Sequence, residues 1–266
     1  MLRASNVFTD QQYFETLEER LVKHFHNYGR YNLSVAQSSW ETWLDGYVPG
    51  APYRKTSIYD EGNLVALMLD ISILKHTGNK KSLRDVCRKL FNDFGKKGIG
   101  YTEQNVIDLC NEAASVSLQE IFDKYVYGTE DFEPMLNECL NYVGLEMQKT
   151  PSALLCESNY GFKVIEQPGT TKVSLIATYS PSWKAGLSAA DDIIAVNGFV
   201  VKNDLNNWLN YFKGGDINLT VSSQGRLKVM QLNAGNSNYF NQYKIAMLSK
   251  RTLQQEINYK RWIIES

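Results

Sequence analysis

The run Leu64-Val65-Ala66-Leu67-Met68-Leu69 constrains this chain more than any other stretch. The helix expected from about Ser57 to Thr77 contains it, and there it is apolar on every side. A helix without a polar face is buried all round, so it needs a shell. Residues 1–145 supply one by repeating a single grammar of polar cap, apolar stripe at helical spacing, and Gly. Thr9 with Gln12 reads as a capping box, followed by Tyr13, Phe14, Leu17, Leu21, Phe25 and Tyr28 on one face, with Gly29 ending the helix. A second helix, over about 33–46, presents Ala36, Trp40, Trp43 and Leu44, and Pro49-Gly50-Ala51-Pro52 forces a loop after it. Further helices are expected over about 82–94, 103–115, 117–127 and 133–143. The first of these carries Leu83, Val86, Cys87, Leu90, Phe91 and Phe94 as a stripe. Asp70 follows the apolar run directly and, once buried, has to be paired or hydrogen-bonded.

Around Thr150 the period changes to short β-like runs: Phe162–Glu166, Lys172–Thr178, Asp192–Val196, Asn218–Val221 and Leu227–Leu232. Asn197-Gly198 reads as a tight turn. One helix, about Leu205–Phe212, interrupts the strands. The fold class is therefore α+β: a multi-helix array, then a small β-barrel, then a tail. The domains expected are 1–148, 149–234 and 235–266. The tail carries Leu253, Ile257, Trp262 and Ile263, and this apolar end is expected to pack back on the helical domain.

The balance of 28 basic against 29 acidic residues, net charge −1, argues against nucleic acid or an anionic membrane surface as partner. No apolar run reaches the ~20 residues of a bilayer span, and the first thirty residues hold no signal-peptide core. The compartment stays open. Cys87, Cys110, Cys139 and Cys156 are widely spaced and read as reduced core residues. His24 and His26, two apart, face different sides of a helix, and His76 lies near a helix end. No set with ligand spacing emerges, so no metal or other cofactor is expected in this chain.

The second half resembles a PDZ domain over about 157–232. Tyr160-Gly161-Phe162 looks like the apolar-Gly-apolar loop that binds a peptide carboxylate. Ser180-Pro181, Lys184-Ala185-Gly186-Leu187 and Asp191-Asp192-Ile193-Ile194-Ala195-Val196-Asn197-Gly198 follow the same pattern. The Gly that usually precedes the Asp is Ala190 here, which would be strained if that position needs a positive φ. The resemblance implies peptide C-termini as partners, held by a nest of backbone N–H groups at Tyr160, Gly161 and Phe162.

The helical half resembles the glycyl aminopeptidase family of zinc metallopeptidases, gluzincins that also carry a PDZ domain. Ser57-Ile58-Tyr59-Asp60-Glu61-Gly62 with Leu64–Asp70 is similar to its Y-x-x-G-x-L-V-A-L-L-L-D segment. Gly29-Arg30, Ser34–Trp43 and Ser117–Gly128 look like its neighbouring landmarks, in the family's order. The resemblance implies the C-terminal part of a thermolysin/aminopeptidase-like catalytic domain. The H-E-x-x-H motif and its third zinc ligand have no counterpart, so the zinc-bearing N-terminal half is an expected partner and this chain is expected to be inactive alone. Peptides are the implied substrates. Tyr59 is the implied phenol donor to the oxyanion of the complete enzyme. In related zinc aminopeptidases the motif reads Y-E-K-G, and Glu61 stands where the Lys would be. The alternative is a non-catalytic, PDZ-containing interaction or adaptor protein.

Overall fold

The computed structural model describes residues 7–45, 53–235 and 237–265. In chain order the helices α1 (Asp10–His26), α2 (Val35–Asp45), α3 (Ile58–Thr77), α4 (Leu83–Asp93) and α5 (Glu103–Ala114) come first. Then come α6 (Gln119–Ile121), which runs into a π-helical turn at Phe122–Val126, and α7 (Phe132–Tyr142). The mixed region holds β1 (Leu145–Thr150), α8 (Leu155–Ser158), β2 (Phe162–Gln167), β3 (Thr170–Ile176), α9 (Pro181–Lys184), β4 (Asp192–Val196) and β5 (Phe199–Val200). It continues through α10 (Leu205–Tyr211), β6 (Ile217–Ser223), β7 (Arg226–Leu232), β8 (Gln242–Met247) and α11 (Leu253–Lys260). Two compact units result: residues 1–148 with 243–266, and residues 149–242.

In the first unit α3 is the hub, with α1, α2, α4, α5 and α7 packed on it. Ser57 caps its start and Gly78, at φ 58°, closes it in the left-handed region. Leu64, Met68, Ile71 and Ile73 are fully buried, as a helix apolar on all sides requires. The capping box of α1 forms as expected, but the helix stops at His26 and Gly29 falls in a 3-10 turn. Gly29 is needed for close approach, because an added Cβ would collide with the Lys55 carbonyl. Arg30 closes the same turn, donating from Nη1 to the Phe25 carbonyl at 2.9 Å.

Two apolar stripes differ from expectation. Trp40, Trp43 and Leu44 of α2 face outward, and α2 instead seats itself through Ser38 and Val35. Phe91 of α4 is exposed, while Val86 takes the core position. The loop expected at Pro49–Pro52 lies outside the described residues. β1 pairs with β8 in a two-stranded sheet. The last segment joins the helical core, where Trp262 packs edge-on to Tyr13 with centroids 5.7 Å apart. Asp70 accepts hydrogen bonds from the Leu83 N–H at 2.8 Å and from the Trp262 side chain.

The second unit is built on a sheet of order β2-β3-β4-β6-β7, with β5 paired to β4. It is open rather than the closed barrel expected, because β2 and β7 stand at opposite ends of the strand order and do not pair. Asn197 and Gly198, at φ 47° and 84°, make the tight turn between β4 and β5. Phe162, Val196, Leu209, Ile217, Leu219 and Val221 form its core.

Candidate functional site

The first turn of α3 gathers the residues of most chemical interest. Ser57 Oγ accepts from the Asp60 N–H at 3.3 Å, and the Glu61 N–H donates to the Ser57 carbonyl at 3.0 Å. This cap sets the three following side chains in opposed directions. Tyr59 points outward, 65% exposed. Asp60 and Glu61 point inward and are buried.

Each inward carboxylate has a basic partner on α1. Arg20 Nη1 pairs with Asp60. One helical turn later, His24 Nδ1 donates to Glu61 Oε1 at 2.9 Å. Thr56 Oγ1 also donates to Glu61, and the Thr56 N–H donates to Ser38 Oγ of α2 at 3.2 Å. Two helices, α1 and α2, and the 53–57 segment are thus tied to the turn of α3 that displays Tyr59. The His24 ring lies 4.4 Å from the Phe132 ring centroid. Burial lowers its pKa from the ordinary value near 6.5, opposed by the Glu61 hydrogen bond and charge. A side chain at position 61 is therefore turned into the protein, not toward an open cleft.

Zinc, which the family resemblance implies, does not fit the donors present. Among the described residues no three His, Cys, Asp or Glu side chains come together to hold a metal. His24 is committed to Glu61, and His76 lies exposed at the end of α3. The four cysteines are free thiols. Among the described residues no helix is long and apolar enough to cross a membrane.

The second unit contains Tyr160, Gly161 and Phe162 between α8 and β2. Gly161 adopts φ 72°, and an added Cβ would meet Ser180. The Tyr160 and Phe162 side chains are buried. Two of the three N–H groups expected in the row are already bonded. The Tyr160 N–H donates to the Leu155 carbonyl at 3.2 Å, and the Gly161 N–H to the Glu157 carbonyl at 3.2 Å. These bonds terminate α8, whose last carbonyls need partners. The neighbouring segment adds a further bond, from the Tyr239 N–H to the Ser158 carbonyl at 3.1 Å. α8 also packs against both β2 and α10, and its Leu155 N–H donates to Asn206 Oδ1 at 2.7 Å. Ala190 takes φ 73°, so the position does need a left-handed backbone.

The partner cluster around Tyr59 was not foreseen from the sequence. Its signal was present: Arg20 and His24 lie four apart on α1, facing the consecutive acids Asp60 and Glu61.

Residues 1–65 match the M61 glycyl aminopeptidase family, in agreement with the resemblance read from the sequence. The chain has the fold of an aminopeptidase N family protein from Idiomarina loihiensis, at 24% identity and a TM-score of 0.85. The match covers 98% of this chain and 46% of that one, so the chain spans less than half the length of this relative. A PDZ domain protein from Parabacteroides distasonis (17% identity, TM-score 0.25) matches over 42% of this chain and 23% of its own. An S41 protease from Bacteroides fragilis (16% identity, TM-score 0.22) matches over 40% and 28%. At such scores these two carry no argument. No curated protein matches the chain.

Proposed function

We propose that this chain is the helical and PDZ portion of a metallo-aminopeptidase of the glycyl aminopeptidase type, acting on peptides. The observation that carries the reading is Tyr59, held outward by a capped and internally anchored helix start within the family-matched segment. Zinc would come with the zinc-bearing half, which is not part of this polypeptide. What this chain contributes is a phenol that donates a hydrogen bond to the oxyanion forming on the peptide carbonyl. Arg20, His24, Thr56 and Glu61 position it by fixing the turn from behind. Donors fixed in advance cost no reorganisation when charge develops.

The second unit is read as a PDZ module, supported by its order of loop, two strands, short helix, two strands and helix. The Tyr160 and Gly161 N–H groups of its loop are already bonded to carbonyls of α8, which disfavours the adaptor alternative.

The test is Tyr59→Phe in the enzyme reassembled from this chain and a zinc-bearing half. kcat should fall by about 10²–10³ with little change in KM, because the ground-state carbonyl needs the donor less. A variant that keeps most of its kcat removes Tyr59 from the mechanism. For the isolated chain, one tightly held zinc together with peptidase activity would overturn the reading.

A further inference from the structure

We infer that the outward face of α2 is the docking surface for the part of a longer aminopeptidase chain that this polypeptide does not contain. The inference rests on the reading under Proposed function and adds the surface. Trp40, Trp43 and Leu44 stand at i, i+3 and i+4 on α2, so they share one face. They are 82%, 84% and 79% exposed. Together they leave on the order of 400 Å² of apolar surface to solvent, in the range that marks a partner site.

The helix that displays them is firmly seated. Ser38, on its opposite face, is fully buried and its Oγ accepts from the Thr56 N–H. Glu41 is ion-paired to Arg54. α2 packs on α3, whose first turn presents Tyr59. The exposed face therefore follows from how the helix is anchored.

Two observations select the occupant. All three residues lie inside the segment 1–65 that matches the family. The relative of the same fold has more than half its length outside the match, while almost all of this chain is inside it. A fold that normally carries that much further polypeptide needs a surface to seat it, and two exposed tryptophans on an anchored helix are suited to that. Trp residues are also enriched where association energy is concentrated.

The experiment co-expresses this chain with the portion of the Idiomarina loihiensis protein that it does not cover. The two portions of that protein, co-expressed in the same way, serve as the assembly control. Complexes are recovered through a tag on this chain, and hydroxyl-radical oxidation is read at single residues by mass spectrometry. The expected result is a one-to-one complex in which Trp40 and Trp43 are protected at least tenfold relative to the isolated chain. Trp40→Ser with Trp43→Ser should weaken association at least a hundredfold while leaving the circular dichroism of the isolated chain unchanged. A complex with both tryptophans still fully oxidised overturns the surface and leaves the two-part reading intact. No complex, where the control pair assembles, removes both. Protection that appears in the isolated chain as its concentration rises assigns the face to a second copy and also overturns the proposal.

Discussion

His24 lies within 2.9 Å of Glu61 in the core of the helical unit, and its Nε2 has no hydrogen-bonding partner among the described residues. Burial makes the folded protein hold the His24 proton less tightly than the unfolded chain does. The stabilisation from neutral His24 is therefore complete above about pH 6.5 and is lost as pH falls from there through the lowered folded value. Urea midpoints should drop between pH 7 and pH 5. His24→Gln should flatten that dependence, and a slope as steep as wild type would place its source elsewhere.

Glu61 stands where the similar aminopeptidase motif has Lys. Glu61→Lys would set an ammonium group against His24 and strip Thr56 of its acceptor, at a cost of about 3–5 kcal/mol. Glu61→Gln keeps a carbonyl acceptor and should cost about 1–3 kcal/mol. Chemical denaturation of both variants measures the difference. A Lys variant as stable as wild type would mean that the turn can swing this side chain outward.

Tyr59→Phe should leave stability within about 0.5 kcal/mol, because the side chain is largely exposed. A loss of more than 1 kcal/mol in thermal or urea unfolding would make Tyr59 a structural aromatic and undercut its assignment as a donor.

Ala190→Gly should stabilise the second unit by about 0.5–1 kcal/mol. Relief of a Cβ at φ 73° exceeds the extra entropy that Gly has when unfolded. Differential scanning calorimetry reads the change, and a lower melting temperature would show that the Cβ contributes packing that outweighs its strain.

Trp262→Ala should cost about 3–5 kcal/mol in the helical unit, from lost packing on Tyr13 and a lost donor to Asp70. Deleting residues 250–266 should lower the melting temperature of that unit further. If only the 149–242 transition moved, the tail would not be part of the helical core.

Helices with strong local signals were legible almost to the residue. Ser57 and Gly78 bound α3, and Thr9 with Gln12 opens α1. β4 falls on Asp192–Val196 as read. What local pattern could not tell was which way an apolar stripe faces. The spacing of Trp40, Trp43 and Leu44 is that of a core stripe, yet the burial of Ser38 decides the orientation, and that depends on Thr56, 18 residues further on and outside the helix. β8 falls within the stretch 235–266 expected as a tail, although Tyr243 and Ile245 alternate inward, because its partner β1 lies about a hundred residues earlier. The Tyr160–Phe162 loop was legible as a backbone shape, while the use of its N–H groups depended on α8, which carries no periodic signal of its own.

The pairing of β1 with β8 makes the second unit an excursion from a unit that is not finished when the chain leaves it. A polypeptide ending near residue 150 would lack one strand of that sheet, the α11 segment and the indole that meets Asp70, and so would carry an unclosed core. The stretch 149–242, by contrast, is continuous, with its own buried centre. Gene fusions, deletions or recombination events that cut between the two halves of this sequence therefore have unequal consequences. The inserted segment can be lost or exchanged as one cassette, whereas the helical scaffold survives only if its last two dozen residues travel with it.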